Sequence, residues 1–215
     1  MNKLPIRRYA VAFCLLFLLA VGIAAQSKPI VTAENAAANA SKVGDKLPAF
    51  SLNDSNGKLV TSKELLKAGN VVLVFYRGSW CPFCNAYLHK LQGRLADINA
   101  AGGVLVAVSV ETPDASLAIA KKNELNYTVL SDPDLSTARK VGIVYQLPAA
   151  TDEKYRSMGL DVAKHNAMPL PELPLAATFV IDQKGNITYA FIETDYKKRA
   201  EPDVIITELK KIAKP

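Results

Sequence analysis

Residues that bind metal ions are scarce in this sequence. Its 215 residues include three cysteines and two histidines, and the histidines, His89 and His165, stand far apart. A zinc site takes its ligands mainly from Cys and His, and this supply is too small and too scattered to build one. We therefore expect neither a metal site nor another cofactor, and we interpret both histidines as structural side chains.

Long apolar runs are likewise confined to the start of the chain. Lys3, Arg7 and Arg8 precede an apolar run over 10–25 that closes with small residues. This is the pattern of a signal peptide, and the run is shorter than the roughly 20 residues that span a bilayer. We predict a signal peptide over 1–25, with an uncleaved signal anchor as the alternative. The protein is then exported, periplasmic or extracytoplasmic, and touches the membrane only through an uncleaved leader.

An excess of charge of one sign is lacking once the leader is set aside. The chain has 26 basic and 20 acidic residues, and three of the basic residues lie within 1–25, so 23 remain against 20. No cluster of Lys and Arg with interleaved aromatic residues is present. Nucleic-acid binding relies on such a basic surface, so we expect no nucleic-acid partner.

Two cysteines remain after Cys14 leaves with the leader. Cys81 and Cys84 are three positions apart, in a compartment where thiols are readily oxidised. A purely structural bridge between them would stabilise the fold little, because the entropy of loop closure grows with loop length. The pair therefore favours redox chemistry over a structural disulfide.

Residues 26–44 are rich in Ala, Asn, Ser and Lys without strand or firm helix patterning, and we interpret them as a linker to a domain over 45–215. In that domain, turn residues and apolar periodicity predict a regular succession of elements. These are a hairpin turning at Asn56-Gly57, a buried strand over 71–76, a helix that begins at the cysteines and has apolar positions over 87–98, a strand over 104–110, a helix over 113–125, a strand over 127–130, a helix over 134–141, a short helix over 152–158, a strand pair over 178–192 and a helix over 202–213.

Buried strands that alternate with helices, followed by a closing hairpin, favour an α/β fold. A central mixed sheet with helices on both faces accommodates this order. Asp54 and Asn56 are expected to form a turn, and Asp132 and Asp134 to cap the helix that follows them.

Both cysteines lie where a buried strand gives way to a helix, in the segment Trp80-Cys81-Pro82-Phe83-Cys84. Pro82 suits the first helical position, which makes Cys81 the cap residue. The positive end of the helix should lower the pKa of a thiol at that position. On this basis Cys81 attacks, and Cys84, one turn later and less exposed, resolves.

Longer motifs carry a resemblance to a known family. These motifs are FYRGSWCPFCNAYLHKLQ, VAVSVETPDAS, VLSDPD, ATFVIDQKGNITYAF and DYKKRAEP. The segment between about 46 and 210 that contains them resembles the peroxiredoxin-like branch of the alkyl hydroperoxide reductase/thiol-specific antioxidant family. The resemblance implies a thioredoxin-like fold, a hydroperoxide substrate and electrons from a thioredoxin-like dithiol protein.

The resemblance leaves open which thiol attacks. Over the peroxiredoxin loop, Cys84 falls at the peroxide-attacking cysteine, Cys81 takes the place of the usual threonine, and Arg77 that of the usual proline. When the same segment is aligned with the thioredoxin motif, Cys81 falls at the position of the nucleophile. Ala176 occupies a position that peroxiredoxins commonly give to an arginine and thioredoxins to a cis-proline.

An arginine at that position would stabilise the charge that develops as the O–O bond breaks, so its absence argues for slow peroxidase chemistry. Arg77 is a candidate substitute, and a solvated loop arginine is the alternative. Trp80 either shields the thiol or packs against a partner, and simple packing beside the buried strand is the alternative.

Three functions follow from these patterns. The first is a thiol peroxidase that uses a Cys81/Cys84 dithiol–disulfide cycle. The second is an exported thiol–disulfide oxidoreductase that acts on protein disulfides through the same pair. The third is a redox-sensing or interaction module without catalysis. The family resemblance places the peroxidase first.

Overall fold

The computed structural model of the protein describes residues 30–213. The predicted leader and Cys14 lie outside the described residues. Nine helices and nine strands are found in the described range: α1 Ala33–Asn39, β1 Ser51–Asp54, β2 Leu59–Thr61, α2 Ser62–Ala68, β3 Asn70–Phe75, α3 Pro82–Gln92, α4 Leu95–Ala100, β4 Gly103–Ser109, α5 Pro113–Lys122, β5 Thr128–Ser131, α6 Ser136–Lys140, β6 Val144–Gln146, α7 Ala149–Ser157, α8 Val162–His165, β7 Glu172–Pro174, β8 Ala176–Ile181, β9 Ile187–Glu193 and α9 Pro202–Ile212. No helix within 30–213 is long and apolar enough to span a bilayer.

Seven strands form one mixed sheet in the order β2-β1-β5-β4-β3-β8-β9. Strands β3, β4 and β5 run parallel to one another, whereas β8 pairs antiparallel with β3 and β9 antiparallel with β8. Every residue of β3 is buried, as expected for a strand rich in β-branched residues that is covered on both faces. Strands β6 and β7 form a separate pair.

Alternate residues of β3 enter two different cores, since successive side chains of a strand point to opposite faces. Val71, Leu73 and Phe75 pack with buried residues of α1, α2, α6 and α8. Val72 and Val74 pack with buried residues of α3, α4 and α9. The predicted mixed sheet with helices on both faces is therefore confirmed.

The structure differs from the predicted elements in three places. The periodic run after the cysteines is split at Gly93 and Arg94 into α3 and α4, because the apolar spacing continues across a break that periodicity alone does not reveal. Residues 33–39, where no firm helix was expected, form α1, whose Ala36 is buried in the core. Between 146 and 174 the predicted short helix is found as α7, joined by α8 and β7.

Two of the predicted turn and cap assignments are confirmed. Asp54 Oδ1 accepts the backbone N–H groups of Asn56 and Lys58 at 2.8 and 2.9 Å. Asp132 accepts backbone N–H groups from the first turn of α6, and Asp134 accepts that of Ser136 at 3.0 Å. These carboxylates satisfy backbone donors and lie outside the dithiol site.

Candidate functional site

The dithiol lies where the central strand β3 gives way to α3. Cys81 is the N-cap residue of α3, with extended backbone (φ −90°, ψ 110°), and Pro82 follows at the start of the helix. Both thiols are free and buried; Cys81 is 1% exposed and Cys84 is 0% exposed. The predicted capping position of Cys81 is thus found, and Cys84 lies one turn deeper.

The two thiols have opposite acidities. A hydrogen bond from the Cys84 thiol, helped by the Cys84 backbone N–H and the charges of Arg77 and Arg199, lowers the pKa of Cys81 to about 6, although burial opposes the shift. The hydrogen bond to Cys81 and burial raise the pKa of Cys84. Since the thiolate is the nucleophilic form, Cys81 is the sulfur prepared for attack at neutral pH.

Arg77 is a buried cation enclosed by aromatic rings. Its side chain is 2% exposed, and its guanidinium carbon lies 4.9 Å from the ring centre of Trp80, 5.7 Å from that of Tyr155 and 4.2 Å from that of Tyr196. Nη2 donates a hydrogen bond to the Tyr155 hydroxyl at 3.1 Å. The alternative of a solvated loop arginine is therefore wrong.

Cys81 and Arg77 share a cavity of about 350 Å³. Its lining is largely apolar and aromatic and consists of Arg77, Trp80, Cys81, Pro82, Phe83, Tyr155, Met158, Leu160 and Tyr196. Within residues 30–213, the buried N–H donors Arg77 Nε and Trp80 Nε1 have no protein acceptor. The cavity is therefore lined by the attacking cysteine and an arginine within a largely apolar wall.

A buried carboxylate fixes the loop that leads to Cys81. Glu111, 1% exposed just after β4, accepts hydrogen bonds from the Ser79 backbone N–H at 2.7 Å and from the Ser79 hydroxyl at 2.6 Å. His165 Nε2 lies 3.0 Å from the same carboxylate. His165 thus has a structural partner, as the sequence predicted, and α8 is tied to the loop.

A second arginine contacts the deeper thiol. Arg199 comes from the segment between β9 and α9, and its Nη2 donates to Cys84 Sγ at 3.3 Å. Its Nη1 donates to the carbonyl oxygens of Tyr196 and Lys198. Arg199 therefore contacts Cys84 directly, while both arginines act on the charge of Cys81.

Ala176 is the first residue of β8 and is 2% exposed. Its methyl group brings no charge or donor to the site, so the cations near the sulfurs come from elsewhere in the chain. His89 lies on the exposed face of α3. Among residues 30–213, no group of three or more His, Cys, Asp and Glu side chains is placed to hold a metal ion.

Sequence reasoning placed Cys81, Cys84, Arg77 and Trp80 together, and the structure brings these four residues into one site. It missed Glu111 and the aromatic side chains of α7 and of the segment after β9. It also assigned no role to Arg199, although DYKKRAEP was one of the motifs that carried the family resemblance. A polar residue directly after the buried strand 104–110 was the available signal for Glu111.

A thioredoxin-like sheet with a CxxC pair at the start of the helix after its central strand defines a thiol-based oxidoreductase. The family follows from the sequence: residues 43–190 match the family model described as AhpC/TSA. This match spans well over half of the chain, and the protein belongs to the AhpC/TSA family.

Individual relatives agree with this assignment. Peroxiredoxin Bcp of Escherichia coli K12 is 27% identical over 175 residues, which cover 81% of this chain and 99% of that protein. A putative peroxiredoxin bcp of Haemophilus influenzae is 30% identical over 105 residues, 49% of this chain and 67% of that protein. The protein is thus an oxidoreductase of the thiol-dependent peroxidase class.

Solved structures share the fold. Peroxidoxin BcpB from Mycobacterium tuberculosis matches with a TM-score of 0.63 at 21% identity, covering 80% of this chain and 99% of the other. Peroxiredoxin Q from Xanthomonas campestris matches with a TM-score of 0.61 at 17% identity, covering 77% and 92%. The predicted thioredoxin-like fold is confirmed.

Proposed function

We propose that the protein reduces hydroperoxides with Cys81 as the attacking thiolate and Cys84 as the resolving thiol. The observation that carries this assignment is that Cys81, and not Cys84, lines the 350 Å³ cavity beside Arg77. The lowered pKa of Cys81 supports the same order. Cys84, fully buried behind it, is placed to resolve the oxidised sulfur.

The cycle begins when the Cys81 thiolate attacks the terminal oxygen of ROOH. An S–O bond forms, the O–O bond breaks, and the RO⁻ leaving group takes a proton to become ROH, so sulfur loses the two electrons that the peroxide gains. The Cys84 thiolate then attacks the sulfur of the Cys81 sulfenic acid, so that the S–S bond forms, the S–O bond breaks and the departing hydroxide takes a proton to become water. A thioredoxin-like dithiol donor reduces the disulfide and becomes a disulfide itself.

Arg77 supplies the positive charge that Ala176 does not. Its side chain lines the same cavity as Cys81, and its charge helps to lower the pKa of Cys81. Donors fixed in advance around a developing negative charge are effective because they need no reorganisation during the reaction. We assign the stabilisation of the peroxide oxygens to the Arg77 guanidinium.

The test compares hydroperoxide consumption by the wild type, Cys81→Ser and Cys84→Ser, with thioredoxin or dithiothreitol as reductant. We expect Cys81→Ser to lose consumption. Cys84→Ser should complete the first attack and leave a sulfenic acid that dimedone traps at Cys81. Trapping at Cys84 in Cys81→Ser would reverse the order of the thiols, and a wild type without turnover would contradict the proposed cycle.

Thiol–disulfide exchange is a second candidate function. One support is Cys81, which caps a helix and whose thiol has a lowered pKa. The other is the neighbouring Phe83, which is 43% exposed and offers an apolar contact to a protein partner. Insulin reduction that depends on Cys81 and exceeds hydroperoxide turnover would establish it. Reduction at the background rate would exclude it.

We also propose that residues 1–25 direct export and are then removed. The support is the basic start, the apolar run and the small residues that close it. The intact mass of the protein purified from its own cells tests this, since a mature chain that begins near residue 26 is expected and an intact N-terminus would indicate an anchor.

A further inference from the structure

Cys84 faces a chemical difficulty in the proposed cycle, on which this inference rests. It has to act as a thiolate when it attacks the sulfenic acid and again when it leaves Cys81 during reduction. Its side chain is 0% exposed, in a cluster that includes Tyr76, Leu88 and Ile119. Burial disfavours the charged form of a thiol, so the site needs a compensating cation.

Arg199 is placed to supply that charge. Its Nη2 lies 3.3 Å from Cys84 Sγ, a normal distance for an N–H donor to sulfur. The other terminal nitrogen donates to the backbone carbonyls of Tyr196 and Lys198, which fixes the orientation of the guanidinium plane. Its guanidinium carbon lies 5.8 Å from the centre of the Tyr87 ring.

The contact is specific to this cation. The Arg77 guanidinium lies instead among the rings of Trp80, Tyr155 and Tyr196, and its side chain lines the cavity of Cys81. The neighbours of Arg199 are directed elsewhere: Lys197 lies 5.7 Å from the Phe83 ring centre, and Lys198 lies 3.7 Å from a Glu193 carboxylate oxygen. The Tyr87 hydroxyl donates to the Ala200 carbonyl at 2.8 Å and so holds this segment against α3.

We propose that Arg199 is a catalytic residue that stabilises the Cys84 thiolate in both steps. During resolution, Cys84 S⁻ attacks Cys81 Sγ, the S–S bond forms, the S–O bond breaks, and the departing hydroxide takes a proton to become water. During reduction, a donor thiolate attacks Cys81 Sγ, and the electron pair of the broken S–S bond stays on Cys84 beside Arg199. The donor's second thiol then releases Cys81.

The first measurement is the absorbance of thiolate at 240 nm as a function of pH in the Cys81→Ser background, where Cys84 is the thiol of the site. Groups that face Cys84 are Cys81, Arg199 and the hydroxyl of Tyr76, so removing the Cys81 sulfur simplifies the titration. We expect Arg199→Gln to raise the midpoint by about one pH unit or more, from the loss of a charged donor. Arg199→Lys should restore part of the shift.

The second measurement is single-turnover disulfide formation after hydroperoxide is added to the full protein with both cysteines. The loss of thiolate is partly offset by the greater nucleophilicity of a more basic thiol. We therefore expect Arg199→Gln to slow resolution at pH 7 by about three- to tenfold and to lengthen the life of the dimedone-reactive sulfenic acid. The deficit should disappear as the pH rises above the Cys84 pKa of the variant.

Lys198→Gln is the matched control, because it removes a neighbouring charge and retains the carbonyl that accepts from Arg199. Unchanged titration and resolution in Arg199→Gln would overturn the proposal, as would a resolution defect that persists equally at high pH. The absorbance titration needs no peroxide. A wild type that consumes none would therefore defeat the proposed function and leave the Arg199–Cys84 contact separately tested.

Discussion

Cys81 and Cys84 differ in acidity although both are almost completely buried. The difference arises because one thiol donates a hydrogen bond to the other, at a helix start that already favours negative charge. Below pH 6 the Cys81 sulfur becomes protonated, and the rate of peroxide attack should fall tenfold for each pH unit. Above about pH 7 the rate should reach a plateau.

Removing the Cys84 thiol, which donates the hydrogen bond, shows how much Cys84 contributes to the acidity of Cys81. In Cys84→Ala we expect the midpoint of the Cys81 titration to rise from about 6 by one to two pH units, because a hydrogen bond to a charged group is worth about 1.5–3 kcal/mol. Iodoacetamide alkylation as a function of pH measures it. A midpoint that stays near 6 would show that the helix and the arginines are sufficient.

Arg77 should govern the first chemical step. Arg77→Met keeps much of the volume and removes the charge and the donors, so we expect peroxide attack to slow about a hundredfold, the usual effect of losing one donor to a developing oxyanion. Stopped-flow oxidation of the reduced protein measures this step. Arg94→Met, at the distant junction of α3 and α4, is the control; equal rates in both variants would refute the role of Arg77.

Gly78 is needed for a conformation and for space. Its φ is +147°, and a Cβ there would lie 2.4 Å from Trp80 Nε1. We expect Gly78→Ala to lower the free energy of unfolding by about 2–4 kcal/mol through backbone strain and displacement of the indole. Gly57 also has a positive φ, +79°, but a Cβ there would have no atom within 4 Å. We therefore expect Gly57→Ala to lower the free energy of unfolding by only about 1–2 kcal/mol.

Unfolding of both variants by guanidinium chloride separates the effect of backbone strain from the effect of the contact with the Trp80 indole. Trp80, the one tryptophan of the sequence, reports displacement through a shift of its fluorescence in native buffer. Equal losses in the two variants, with unchanged fluorescence, would show that the indole does not depend on Gly78.

At the scale of elements, the loop between β3 and α3 is held from outside. Glu111 accepts from the backbone and hydroxyl of Ser79 and contacts His165, so one carboxylate joins the end of β4, the active-site loop and α8. This explains how a loop without regular structure keeps Cys81 in place at the cap of α3.

We expect Glu111→Gln to lower the free energy of unfolding by about 1–3 kcal/mol, because a neutral amide weakens the accepted hydrogen bonds and adds donors that need partners. Peroxide attack should slow as well, since the loop carries Arg77 and Trp80. Calorimetry and stopped-flow oxidation measure the two effects. Glu64→Gln, at the exposed capping box of α2, is the control and should leave the rate unchanged.

Local patterns predicted those elements whose signals are complete within a short segment. The β-branched run of β3, the proline starts of α5 and α9 and the glycine turn between β8 and β9 are examples. The break at Gly93 was missed because apolar spacing continues through it. The β6–β7 pair was missed because its two strands are distant in sequence and are three residues each.

The same limit applies to the site. Cys81 and Cys84 were found because they form one short motif that begins a helix. The partners of these thiols come from far along the chain: Arg199 lies 115 positions from Cys84, and Glu111 lies 32 positions from Ser79. Only the folded sheet brings those segments together, so no local pattern could assign their contacts.

At the scale of the whole molecule, the site is assembled from separate parts of the chain. The β3–α3 junction supplies the thiols, and the end of β4 supplies the buried carboxylate. Helix α7 supplies Tyr155, which contacts Arg77, and the segment after β9 supplies the second guanidinium. The site therefore depends on the complete fold. Because the segment after β9 carries both Arg199 and Tyr196, partial unfolding of this segment should impair resolution and the first attack together.

Because Cys84 lies behind Cys81, the peroxide and the reducing partner share one access site. Cys81 lines the cavity, whereas Cys84 is fully buried. We therefore expect the peroxide and the reducing partner to react at the Cys81 sulfur one after the other. Initial rates should give parallel lines in double-reciprocal plots, and a large excess of either reactant should obstruct the other. Intersecting lines would mean that both are bound at once, which requires a second entrance to the disulfide.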